Sequence, residues 1–193
     1  MWHDNSGGIV GASWALDKIV LQHVETSAEY VFDYGGWLSH RDGDGEIVRE
    51  LFATGATVLE PLAPKTYTVR VFTGKKNHSG TDANVHVVLY GSLGDSGPRP
   101  LRKSSTHWDK FEAGNEDVFT LEAVDLGAID RMKIGHDNRG LGASWFLDRV
   151  TVKEGDDDTP PIEFPCNRWL AKNQDDGQIE RTLFPSSSNA KSI

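Results

Sequence analysis

Cysteine is almost absent from this chain: Cys166 is the single one in 193 residues. No intrachain disulfide can form, which fits a reducing, intracellular compartment. Long apolar runs are absent too. None approaches the roughly 18–20 residues that a membrane-spanning helix needs. The N-terminus has no basic segment followed by an apolar one, so no secretory signal is expected. Positive charge is scarce: 20 Lys and Arg stand against 29 Asp and Glu, a formal net charge of −9. Such a surface repels phosphate backbones, so no nucleic acid partner is expected. It also opposes simple attraction to anionic lipid. A membrane contact would need local basic groups, inserted aromatics or a bridging cation. No segment sustains a helical period over three turns. The signatures of nucleotide and metal-hydrolase chemistry are missing as well: no Walker loop, no His-Glu-x-x-His, no paired cysteines. Cys166 lacks any triad setting and reads as a small core residue. No catalytic residue is expected.

What the chain does have is a repetition. WHDNSGGIVGASWALDKIVL opens it at Trp2, and GHDNRGLGASWFLDRVTV returns at Gly135. The spacing is that of a whole domain, well beyond the roughly 20–50-residue period of a solenoid. The likeness continues downstream, pairing Phe32 with Phe164, Trp37 with Trp169, Gly45 with Gly177, Ile47 with Ile179 and Leu51 with Leu183. Residues 1–51 therefore read as the C-terminal part of one repeat and 67–184 as a complete repeat. Residues 52–66, with Pro61 and Pro64, read as a linker, and 185–193 as a tail or the start of another. The expectation is a section of a longer array. A partial repeat leaves open strand edges and half a core, so 1–51 is expected to pack poorly or to borrow a neighbour.

Short β-branched and aromatic segments punctuated by Gly, Asp, Asn and Pro fill the complete repeat. YTVRVFT, NVHVVLYG, DVFTLEA, RMKIGHD, SWFLDRVTVKE, PIEFP and QIERTL read as strands. The partial repeat supplies SWALDKIVLQHV, EYVFD and EIVREL. Many short strands without helices predict an antiparallel sandwich.

The order YTVRVFTG, SGTDANVHVVLYG, FEAGNEDVFTL, IGHDNRGLGASWFLDRVTV, FPCNRWLA resembles the PLAT (lipoxygenase homology, LH2) family. The ending W-x-x-x-x-D-D-G-x-I-x-R-x-L, written WLAKNQDDGQIERTL and WLSHRDGDGEIVREL, is most similar to the tandem-PLAT proteins of hair cells. The resemblance implies an all-β, eight-stranded, two-sheet β-sandwich without chemistry of its own. It implies targeting or tethering to membrane lipid or a membrane-associated protein, with calcium as cofactor in some members. By the same resemblance the place of action is peripheral, at the plasma membrane or a cell projection such as a stereocilium. Two alternatives stay open: a structural spacer linking cytoskeleton and membrane, and a regulatory domain of a lipid-metabolising enzyme.

The resemblance also suggests calcium ligands. His78 and Gly80 match first-loop positions that act through carbonyl oxygens, and Asp82 matches a carboxylate. Asp109 and Glu112 match second-loop positions, while Lys110 stands where lipoxygenases carry another carboxylate. Asn115 and Asp117 offer further oxygens. Asp82 equally fits a turn-fixing role, and Glu112 a solvated surface group. Arg139, Leu141 and Trp169 are the expected membrane or partner rim. Trp169 reads either as a lipid contact or as a packed side chain with one wet edge. Ile9 and Val10 would be the apolar tip of the partial repeat.

Overall fold

The computed structural model describes residues 1, 3, 12–54, 64–155 and 159–186. The segments 55–63 and 187–193, and the loop holding Ile9 and Val10, lie outside the described residues. The chain divides into two compact units, Met1–Ala63 and Pro64–Ile193.

The second unit is built from β3 (Lys65–Thr73), β4 (Val85–Gly91), β5 (Gly94–Asp95), β6 (Arg99–Pro100), β7 (Glu116–Ala123), β8 (Ile129–His136), β9 (Trp145–Glu154), β10 (Ile162–Leu170) and β11 (Glu180–Leu183). Period-two alternation decides the faces. In β3, Tyr67, Val69, Val71 and Thr73 are buried, while Arg70 is exposed. In β7, Asp117, Phe119, Leu121 and Ala123 are buried. One sheet runs β10-β9-β3-β7 and the other β11-β8-β4-β5, with β6 also on β4. Every pairing is antiparallel. With the two-residue β5 and β6 taken as one edge element, this is the eight-stranded sandwich that the family resemblance implies. Both sheets give side chains to one core: Val69 and Leu147 from the first, Leu89 and Ile134 from the second. Phe111 stacks on Phe119 and meets Trp145 edge-on, with ring centroids 5.6 and 5.4 Å apart. The Trp145 indole N–H donates to Thr73 Oγ1 at 3.0 Å, which satisfies its one polar atom inside the core.

The first unit holds β1 (Trp14–Gln22) and β2 (Glu29–Leu38), an antiparallel pair. Its details copy the second unit. His3 N–H donates to Ile47 O, and His136 N–H to Ile179 O. His3 Nε2 bonds Leu38 O at 2.8 Å, and His136 Nε2 bonds Leu170 O at 2.9 Å. Both units carry the same β-bulge. Tyr34 and Gly35 stand opposite Asp17 in one, and Cys166 and Asn167 stand opposite Asp148 in the other.

Two strand boundaries differ from the sequence reading. PIEFP is not the end of its strand: β10 continues to Leu170. Proline lacks an N–H, but β10 is an edge strand and Pro165 adjoins the bulge, where a ladder bond is not required. EIVREL in the first unit is not a strand, and only Val48 takes part in a bridge. Its backbone meets a short partner, with Arg49 N–H donating to Met1 O at 2.9 Å. At the flanks of 52–66, Thr54 bridges Val31 and β3 starts at Lys65.

Candidate functional site

Three loops meet at one end of the second unit: residues 74–84 between β3 and β4, 101–115 between β6 and β7, and 137–144 between β8 and β9. Main-chain bonds join them. Thr81 N–H donates to Phe111 O at 3.2 Å, Asp82 N–H to Gly142 O at 3.3 Å, and Asp137 N–H to Asn84 O at 3.1 Å. Gly80 permits this approach, because a Cβ there would stand 3.0 Å from Phe111 O and 3.2 Å from Glu112 Cα. Asp137 fastens the third loop to the first. Its carboxylate accepts Asn84 N–H at 3.1 Å, Asn84 Nδ2–H at 2.7 Å and Arg139 N–H at 3.0 Å. Burial pushes its pKa up, but these donors outweigh burial and hold the carboxyl below its ordinary range.

A cleft of about 540 Å³ opens at the junction, and His78, Gly80, Asp82, Glu112 and Leu141 line it. Asp82 also lines a second cleft of about 450 Å³, shared with Asp109 and Lys110. Phe111 causes the separation. It is buried with a positive φ of 62°, its N–H donates to Asp117 Oδ2 at 2.7 Å, and its carbonyl takes Thr81 N–H. Turning about this anchor, the second loop puts Glu112 in one cleft and Asp109 with Lys110 in the other. The structure thus brings together His78, Gly80, Asp82 and Glu112, and leaves Asp109 across the Asp82 wall. Asp117 is buried and spent on Phe111 and His107, so it offers no ligand oxygen to the clefts.

The cleft is an assembly of hard oxygen donors. The carboxylates of Asp82 and Glu112 are exposed and unpaired among the described residues. Among the described residues the carbonyls of His78 and Gly80 accept no hydrogen bond, whereas Ser79 O takes Phe146 N–H. Among the described residues no three His, Cys, Asp or Glu side chains gather as a metal cage. The lining residues do supply two carboxylates and two backbone carbonyls, oxygen donors of the type that calcium accepts in sets of about 6–8. No helix among the described residues is long and apolar enough to cross a membrane.

Of the expected rim, Arg139 is exposed and reaches Asp137 at 3.7 Å. Leu141 stands fully in solvent at 109% exposure. Trp169 is half-buried and packs edge-on against Phe146, with centroids 5.4 Å apart. The sequence reading missed Trp108. It is 99% exposed, on the second loop and one residue before Asp109. A Trp flanked by Ser, Thr, His, Asp and Lys was the available signal.

The PLAT/LH2 domain model matches residues 67–184. The chain belongs to the PLAT/LH2 domain family. It is 43% identical over 190 residues to lipoxygenase homology domain-containing protein 1 of Mus musculus, covering 98% of this chain and 9% of that protein. It is 34% identical over 129 residues to polycystin-1-like protein 3 of Homo sapiens, covering 66% and 7%. The chain thus spans less than a tenth of the length of these curated relatives. Among solved structures it is similar to coral 8R-lipoxygenase, described as showing calcium activation via a C2-like domain. The two are 31% identical with a TM-score of 0.53, over 62% of this chain and 17% of that one. The similarity to the lipoxygenase is confined to a minor part of that enzyme's chain.

Proposed function

We propose that the second PLAT repeat is a membrane-docking module and has no chemistry of its own. The observation that carries this is the pair Trp108 and Leu141, both fully exposed, on loops either side of Asp82. A large apolar side chain taken fully out of water gains about 1.5–3 kcal/mol. Trp, with one polar N–H, suits the headgroup level of a bilayer. Asp82, Glu112 and the carbonyls of His78 and Gly80 would hold calcium. The bound ion would offset the repulsion between a chain of net charge −9 and anionic headgroups. The calcium activation described for coral 8R-lipoxygenase supports the same reading.

Sedimentation with phosphatidylserine vesicles tests it. The chain should pellet with calcium and stay in solution with EGTA. Asp82→Asn with Glu112→Gln should abolish that dependence and any calcium-induced rise in Tm. Trp108→Ala with Leu141→Ser should weaken binding at least about tenfold while the rise in Tm persists. A wild-type chain that ignores vesicles at every calcium level, with an unchanged Tm, sinks the reading.

A further inference from the structure

A third cleft, about 630 Å³, opens beside the loop end, and its chemistry is opposite to that of the calcium candidate. Lys75, Lys76 and Arg149 line it, together with Thr73, Asn115 and Asn167. Its two acids are already engaged: Glu116 pairs with Arg70 at 2.6 Å, and Asp148 with Arg149 at 2.6 Å. Lys75 and Lys76 have no carboxylate partner among the described residues. Apolar contacts position them instead. The Lys76 ammonium sits 3.7 Å over the Phe146 ring, which Trp169 braces from the side. The Lys75 stem crosses Gly114, with Cγ 3.4 Å from where a Cβ would be. An aromatic face orients a cation without neutralising it. Two positive charges are thus held over a pocket, in a chain whose net charge is −9.

The neutral groups are donors as well. Asn115 and Asn167 both line the cleft and carry side-chain amides. Asn167 occupies the bulge with φ +50°, where the first repeat has Gly35 at φ +63°. Glycine meets that backbone requirement with less strain. The second repeat accepts a non-glycine residue there and gains a side-chain amide on the cleft.

We propose that this cleft binds a phosphate group. Donors converge from the first loop, the second loop, β9 and the β10 bulge, which suits an anion with several outward oxygens more than a planar carboxylate. A phosphate monoester presents three such oxygens and about −1.5 to −2 charges, a match for two uncompensated lysines. The source is either a phosphomonoester lipid headgroup or phosphate in solution. The lipid source rests on the membrane-docking reading, and the site itself does not.

The test uses the full chain in EGTA. Inorganic phosphate is titrated in while NMR shifts are followed. In parallel, the chain is sedimented with phosphatidylcholine vesicles carrying phosphatidylinositol 4-phosphate or phosphatidylserine at matched surface charge. Phosphate should shift Lys75, Lys76, Asn115 and Asn167. Lys75→Ala with Lys76→Ala should weaken binding roughly thirtyfold. Lys153→Ala with Lys172→Ala removes the same charge away from the cleft and should leave binding intact. A preference for phosphoinositide vesicles that the Lys75/Lys76 variant loses assigns the lipid source. Phosphate binding without that preference assigns a soluble one. Absence of both phosphate shifts and vesicle preference overturns the proposal, as does equal weakening in the two lysine variants. Calcium is chelated throughout, so failure of calcium-dependent docking through Trp108 and Leu141 would be seen separately.

Discussion

His136 shows what the repeated His-Asp-Asn motif is for. Its Nε2–H donates to Leu170 O at 2.9 Å, and its Nδ1 accepts Asn138 N–H at 3.1 Å. One neutral ring therefore closes β8, the third loop and the end of β10 together. Burial pushes its pKa down, against the pull of the Leu170 carbonyl and Asp137. The unfolded chain takes up this proton near pH 6.5 and the folded chain only at lower pH, so its stabilising effect is present above pH 6.5 and is lost as pH falls. The second unit's carboxylates with lowered pKa values, Asp125, Asp137, Asp175, Asp176 and Glu180, give up their share only in more acid solution. Urea unfolding of the second unit should therefore show falling stability between pH 7 and pH 5.5. His136→Leu should lower stability by about 1–3 kcal/mol at pH 7, through two unpaired backbone groups, and should flatten that pH slope. An unchanged slope in the variant would assign the effect to other groups.

Among elements, the contact between β8 and β11 is the tightest that the motif creates. A Cβ on Gly135 would stand 2.7 Å from Glu180 Cβ, 2.8 Å from Glu180 Cα and 2.8 Å from Ile179 O. Two of those atoms are backbone, so Gly135→Ala must move the strand rather than a flexible side chain. The expected cost is about 1–3 kcal/mol, with faster amide hydrogen exchange along Glu180–Leu183 and none at β3, whose neighbours are untouched. Uniform acceleration across both sheets would contradict a local displacement. Elements were also the most legible scale in the sequence. β-Branched and aromatic runs bounded by Gly, Asp, Asn and Pro announced β3, β4, β7, β8 and β9, because such residues suit a pleated, buried surface. Bulges have no such signature. Pro165 looked like a strand end. The candidate site was legible in part for a related reason. Loop composition announced Gly80, Asp82 and Glu112. It did not announce that a buried Phe111 would divide Asp109 from Glu112, because an aromatic inside a polar loop does not reveal which way it turns. Trp108 and Phe111 lie three positions apart with similar apolar character, yet one is fully exposed and the other is core.

At the scale of the whole chain, the same motif meets two fates. Trp145 is fully buried against Phe111 and Thr73, whereas its counterpart Trp14 is 39% exposed. Val152 is buried, whereas its counterpart Leu21 is exposed. β9 is paired along both edges, by β10 and by β3, while β1 pairs with β2 alone among the described residues. Strand sequence is therefore not what separates the two units; the difference is in how many sheets and edges surround each strand. In the first unit Leu16, Leu38 and Ile47 are the buried apolar side chains among the described residues, against a core in the second that spans both sheets. An open edge and a small core lower the free energy of local opening. Trypsin should therefore cut after Lys18, Arg41 and Arg49 before it cuts within 65–183, as read by mass spectrometry. Leu38→Ala and Leu170→Ala remove equivalent buried side chains and report on the units separately. Leu170→Ala should cost the second unit about 2–5 kcal/mol and leave it folded at room temperature. Leu38→Ala should abolish the protection that remains across β1 and β2, leaving the exchange of the second unit unchanged. Equal resistance to trypsin of 12–54 and 65–183 would mean that the first unit draws stability from contacts beyond its own small core.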